Sequence, residues 1–260
     1  MSTPYETIKT LLESTRLEEL QRGLELVRVE IARAGSQEAR PLFEMVSSVF
    51  YIDPLDQPEL MPVLDEAINL VVGFGNWVIP ALVERLDAGD LKAQMAASHA
   101  LGRIGADAIQ PLMSEYERRE DPGFRAFVLY ALSKIRSPKV LQAMPLALEA
   151  AKSDDLELRD TATRTLGKFV ESIPPAELPA EFHKAFIEQV RRNLGDPNAG
   201  IRAKAIRSWG KMAKSGHLEQ AERAELKWVC ERLLGVDDAF DWDRAYIVRK
   251  QAEDVLRNLE

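Results

Sequence analysis

The sequence predicts an all-α fold, an α-α superhelix or solenoid of about seven antiparallel helix pairs, and three observations carry that prediction. An amphipathic segment recurs along the chain. A second helical run precedes each copy, with a turn containing aspartate between them. The bulk composition is that of an ordinary globular chain, with 46% hydrophobic and 29% charged residues over 260 positions, ample to bury a core if the elements stack.

The recurring segment reads "FRAFVLYALSKIR" from Phe124, "LRDTATRTLGKFV" from Leu158, "IRAKAIRSWGKMA" from Ile201 and "VRKQAEDVLRNLE" from Val248, with a weaker copy, "AQMAASHALGRIG", from Ala93. Positions 1, 5, 8, 9 and 12 of the segment are apolar or small, the spacing of one buried stripe on an α-helix. The preceding runs include "VIPALVERLDAGD", "AMPLALEAAKSDD" and "AFIEQVRRNLGDP". Pro80, Pro111 and Pro145 stand near the start of these first helices, where a missing N–H costs nothing. Asp121 before Pro122 and Asp196 before Pro197 mark a stop and restart, and such aspartates are expected to cap the second helix. Steps between Arg125, Arg159, Arg202 and Arg249 are 34, 43 and 47 residues. Two insertions explain the uneven spacing: the proline-broken "SIPPAELPAEFH" and the loop "GVDDAFDWDRAY".

The "R-x-x-A-x-x-x-L-G/S/R-x-I" second helix, with its preceding proline and aspartate, resembles the HEAT-repeat family, including its bacterial HEAT-like branch of phycobilisome-lyase type. The resemblance covers residues 76–260, with Gln94 departing from the arginine and Trp209 from the leucine. Residues 1–75 fit loosely, as two helix pairs, and are expected to be degenerate N-terminal capping repeats of a single continuous solenoid. The resemblance implies that Arg125, Arg159, Arg202 and Arg249 are structural, each reaching the aspartate of a neighbouring turn.

Charge and motifs exclude several functions. The balance is 34 − 42 = −8, poor for a surface that traps nucleic acid or anionic lipid. Residues 1–75 carry 6 − 13 = −7 of it. No stretch approaches the ~18 consecutive apolar residues of a membrane span, no basic and apolar leader opens the chain, and a cytoplasmic location is expected. His99, His183 and His217 are scattered and none precedes a glutamate, so neither a metal site nor a catalytic residue is assigned and no cofactor is expected. The lone Cys230 reads as core packing, and Gly73-Phe74-Gly75 as a turn between helices. The acidic loop Asp237, Asp238, Asp241 and Asp243 lacks calcium-loop spacing, and Trp242 within it is expected to tuck back onto the last helix pair.

Second helices are expected to line the concave side of such a solenoid, with positions 7 and 11 of each segment forming a ridge along it. These positions hold His99 and Arg103, Tyr130 and Lys134, Arg164 and Lys168, Arg207 and Lys211, then Asp254 and Asn258. The first eight are the candidate partner-binding residues. A merely solvated face accounts for the same residues, because lysine and arginine favour exposed helix. The expected function is a non-catalytic scaffold or adaptor that binds an acidic protein segment on this face. Two alternatives come from the family resemblance: a HEAT-like DNA glycosylase, disfavoured by the acidic balance, and a bilin-lyase-like chaperone subunit.

Overall fold

The computed structural model describes residues 4–35, 40–53, 55–236 and 242–259, and every regular element among them is helical. They group into two compact units, Met1–Arg118 and Arg119–Glu260. The first unit holds α1 (Pro4–Leu12), α2 (Leu17–Ala34), α3 (Arg40–Ser47), α4 (Met61–Gly73), α5 (Ile79–Glu84), α6 (Leu91–Ile104) and α7 (Ile109–Arg118). The second holds α8 (Pro122–Leu132), α9 (Met144–Ala150), α10 (Leu156–Val170), α11 (Ala180–Asn193), α12 (Ala199–Lys214), α13 (Gln220–Leu234) and α14 (Tyr246–Arg257). Within each unit, first helices alternate with the second helices that the repeat implies. Among the described residues no single helix is long and apolar enough to cross a membrane.

Each unit has two helical layers. In the first unit α2 packs on α4 and α4 on α6, while α1 meets α3 and α5 meets α7. In the second, α8, α10, α12 and α14 lie side by side, with α9, α11 and α13 backing them. The helices begin where the sequence supplies a cap. Asp90 Oδ1 accepts from Lys92 N at 2.9 Å, Asp121 Oδ2 from Phe124 N at 2.6 Å and Asp155 Oδ1 from Leu158 N at 2.8 Å, satisfying otherwise orphaned donors. Pro80 and Pro145 take the second position of α5 and α9. Gly75, at φ 90°, turns the chain after α4, a backbone conformation that glycine adopts without penalty.

One expectation about caps needs correction. Asp196 does not cap α12: Asn198 does, its Oδ1 accepting from Gly200 N at 2.8 Å, because Asp196 lies two residues too early and is engaged elsewhere. Of the acidic loop, Asp237, Asp238 and Asp241 lie outside the described residues. Trp242 rests against Gly235 and carries the Arg249 guanidinium 4.5 Å from its ring centroid, yet it stays 52% exposed, so it is only half tucked. Cys230 is fully buried and burial pushes its thiol up to about 12, in keeping with core packing.

Close approach sets the second layer. A Cβ on Gly167 of α10 would sit 2.8 Å from the Ser208 Cα of α12, and one on Gly210 of α12 would sit 2.4 Å from a Val255 methyl of α14. Around these contacts Trp209, standing where the repeat has leucine, is wholly buried. A polar thread fixes register: Gln189 Nε2 donates to Ala151 O at 3.0 Å and to Asn193 Oδ1 at 2.8 Å, and Asn193 Nδ2 donates to Thr163 Oγ1 at 2.7 Å. Where α12 buries Ala203 and Ile206 at segment positions 3 and 6, α14 exposes Lys250 and Glu253, so the flank of α14 that faces away from α12 is polar.

Gly167→Ala pits a helix-propensity gain of about 1 kcal/mol against overpacking of about 1–3 kcal/mol, and the contact here is to backbone, which cannot rotate away. Calorimetry should therefore show a lowered melting temperature for Gly167→Ala. Gly73→Ala, with nothing within 4 Å of its new methyl, should match or exceed the native protein.

Candidate partner-binding ridge

The second helices of residues 119–260 are tied at one end by an arginine–aspartate ladder. Arg159 Nε donates to Asp196 Oδ2 at 2.8 Å, and Arg202 grips Asp243 with Nε and Nη2 at 2.7 and 2.9 Å. Each arginine also closes its own turn: Arg159 Nη1 donates to Ser153 O at 2.5 Å, Arg202 Nη1 to Asp196 O at 2.8 Å and Arg249 Nη1 to Asp243 O at 2.8 Å. Arg125 Nε does the same to Arg119 O at 2.7 Å, and in the first unit Gln94, where the arginine is missing, uses its amide on Leu86 O at 3.0 Å. Asp196 and Asp243 side chains are each 8% exposed, and sheltered charge-assisted pairs of this kind, forked at Arg202, are the strong ones. The four arginines are structural members of the stack.

The ladder leaves positions 7 and 11 on a separate face, and the structure brings neighbouring helices' residues together there. Lys134 Nζ lies 4.3 Å from the centroid of the half-buried Tyr130 ring, and the Arg164 guanidinium approaches the same ring at 5.7 Å from the next helix. Arg207 Nε donates to Gln251 Oε1 of α14 at 2.5 Å. Among the described residues, Lys134, Arg164 and Arg207 have no ion-pair partner. Arg164 and Arg207 are exposed.

Position 11 behaves differently. Lys168 Nζ and Lys211 Nζ converge on Glu171 Oε2 at 2.9 and 3.2 Å, and Arg136 Nη1 reaches the same oxygen at 3.9 Å. Burial works to raise the Glu171 pKa, but the two lysines outweigh it and hold the carboxyl below its usual range. Burial lowers Lys211 to about 8, with Lys168 pushing the same way and Glu171 opposing. Arg136 and Glu171 fall outside positions 7 and 11 and were invisible to the periodicity. Their only sequence signal is that they stand at and just beyond the end of a segment.

The first unit's share of the ridge is neutralised within the fold. Arg103 ion-pairs with Asp65 of α4 and donates from Nη1 to Asn69 Oδ1 at 2.7 Å, while His99 is half-buried. The structure thus gathers Tyr130, Lys134, Arg164, Lys168, Arg207 and Lys211 on adjacent helices of one unit, and holds His99 and Arg103 in the other.

A two-layered stack of helix pairs, with a ladder on one edge and side chains at fixed offsets on a face, defines an α-α superhelical repeat protein. Within this chain, residues 79–144 match the family model for HEAT repeats. No curated protein matches the chain significantly. Similar solved structures include one from the complex of CpcE and CpcF of phycocyanin lyase from Nostoc sp. PCC7120. It is 22% identical, covers 69% of this chain and 98% of its own, and has a TM-score of 0.53. A computationally designed armadillo repeat protein for modular peptide recognition matches over 100% of both chains at 14% identity and a TM-score of 0.51. A designed armadillo repeat protein in complex with peptide (KR)4 matches equally fully at 14% identity and 0.50. At these identities the likeness shows the fold.

Asp243 supplies a pH test of the ladder. Burial opposes its ionisation, but the Arg202 fork, the Ala245 N–H and Arg249 prevail and depress its pKa. A depressed carboxylate contributes stability that is full above its unfolded pKa and is lost as pH falls through the folded one. Arg202→Ala should destabilise the protein by roughly 2–4 kcal/mol near neutrality, since it strands a sheltered carboxylate. Urea melts should show the gap between native and Arg202→Ala narrowing as pH drops below about 4.

Proposed function

We propose that the chain is a non-catalytic scaffold or adaptor that binds an acidic segment of another protein along the second-helix ridge of residues 119–260. The observation that carries it is the set of cations without acidic partners, Lys134, Arg164 and Arg207, arranged on consecutive helices around the ring of Tyr130. Lys134 and Arg164 meet the Tyr130 ring and Arg207 a neutral amide, so among the described residues the charge of all three is unmatched by a carboxylate. Arginine offers a forked match to carboxylates, lysine a point charge, and the Tyr130 ring an apolar contact beside them.

Charge distribution supports the same conclusion. Residues 119–260 carry 24 − 23 = +1 and residues 1–118 carry 10 − 19 = −9, so the ridge sits on the part of the chain free of net negative charge. Long-range attraction to an acidic partner is thereby local to the ridge, and the acidic first unit disfavours nucleic acid. The repeat fold is shared with designed proteins made for peptide recognition. A second reading, a subunit of a bilin-lyase-like assembly, is favoured by the likeness to the phycocyanin lyase complex. It calls for binding of a linear tetrapyrrole, which absorbance titration measures directly.

The ridge geometry also sharpens the choice of mutation. Reversing Lys168 or Lys211 to glutamate would set new carboxylates against Glu171 and unfold the contact, whereas Arg164 and Arg207 carry no such tie. Arg164→Glu with Arg207→Glu should weaken binding of a glutamate- and aspartate-rich peptide by at least about tenfold while leaving the melting temperature unchanged. The same reversal at Lys184 and Lys227, exposed on the first-helix layer, should change binding little. Native affinity should fall as salt is raised. Equal loss from both double reversals would reduce the ridge to a solvated face.

A further inference from the structure

We propose that the cations around Glu171 form the seat for one carboxylate of the acidic partner, and that Glu171 occupies this seat in the unbound protein as an internal stand-in. The inference rests on the ridge being a binding surface and names the subsite where the partner is read.

Three cations share one oxygen. Lys168, Lys211 and Arg136 all point at Glu171 Oε2, at 2.9, 3.2 and 3.9 Å, so the cluster carries 3 − 1 = +2 formal charges. The Lys211 side chain is only 16% exposed, and Glu171 takes the carboxylate position on its ammonium. An anion from outside that is to pair with Lys211 must take that position. Glu171 is well placed to yield it. It is the C-cap residue of α10, so its side chain can swing without breaking a helical hydrogen bond. A carboxylate at a helix C-terminus also meets the negative end of the helix dipole, which favours the lysines there and opposes the glutamate. The seat adjoins the ridge directly, because Lys168 and Arg164 lie one helical turn apart on α10 and Lys211 and Arg207 one turn apart on α12.

The cluster makes binding proton-linked. Around Lys211 stand Lys168 and Glu171 on α10 and Arg136 after α8. Of the other charged or titratable groups on the packed elements, His217 places Nε2 2.9 Å from Val170 O, Arg223 of α13 donates to Ala213 O at 3.2 Å, and Arg257 and Asp254 of α14 pair with each other. Since burial brings Lys211 to about 8, its charge is present below that pH and lost above it. A partner carboxylate needs the charged form, so affinity falls as pH rises through about 8.

The test is fluorescence anisotropy of a labelled glutamate- and aspartate-rich peptide with the full chain, at about pH 6.5 and about pH 9, either side of the Lys211 midpoint. Glu171→Gln should bind about tenfold tighter than the native protein at the lower pH, because the internal competitor is gone. Native affinity should drop about fivefold between the two pH values, and Lys211→Met should bind more weakly with that drop abolished. If the native protein binds and Glu171→Gln is unchanged or weaker, Glu171 is only a structural tie and the inference falls while the ridge stands. A Lys211→Met variant that keeps the native pH dependence overturns it equally, and does so even if Glu171→Gln fails to fold. If the native protein binds the peptide at neither pH, both the seat and the ridge are overturned.

Discussion

The contact on which the second unit depends is the approach of consecutive second helices at their glycines. At Gly167 and Gly210 the space that a Cβ would fill is taken by Ser208 and Val255 of the next helix. That spacing lets the Arg159 and Arg202 side chains span from one repeat to the next aspartate, since a guanidinium has a fixed reach and its forked bonds tolerate little displacement. It also brings Arg164 to the Tyr130 ring and Lys211 to the same carboxylate as Lys168. Wider separation would break the ladder and scatter the ridge together.

Similar cationic side chains thereby acquire different roles from their place on the helix. At segment position 2 the arginine lies beside its own preceding turn and the next repeat's aspartate, so all its bonds are internal. At position 7 the side chain leaves the stack over the neighbouring helix, where Tyr130 and Gln251 offer stacking or an amide but no opposing charge. At position 11 the helix is ending, and Lys168 and Lys211 fall within reach of the residue that terminates α10. Charge is therefore spent on cohesion at one edge and remains available on the adjoining face.

Much of the fold was legible because helical periodicity is a local property. The stripe at positions 1, 5, 8, 9 and 12, the prolines at helix starts and the capping aspartates each act within a few residues, and the helices lie where these signals place them. The cap of α12 escaped because Asp196 and Asn198 are both good caps in isolation; Asp196 lies too early and takes Arg159 from the previous repeat, while Asn198 meets the first N–H groups of α12. Likewise, Arg103 resembles Lys168 and Lys211 along the chain, and its ties to Asp65 and Asn69 come from a helix some 34–38 residues earlier.

By itself, the sequence determined that this chain folds as repeated helix pairs and which positions form a face, because both follow from spacing along a helix, while the structural role of the arginines was implied by the family resemblance. Tertiary structure alone decided which cations on that face are matched. The partners of a charged side chain come from other helices, and reach, burial and competition among carboxylates in space have no counterpart in the order of residues. Glu171 shows this most directly: an ordinary glutamate after a repeat, it becomes the meeting point of three cations once α10 and α12 lie side by side.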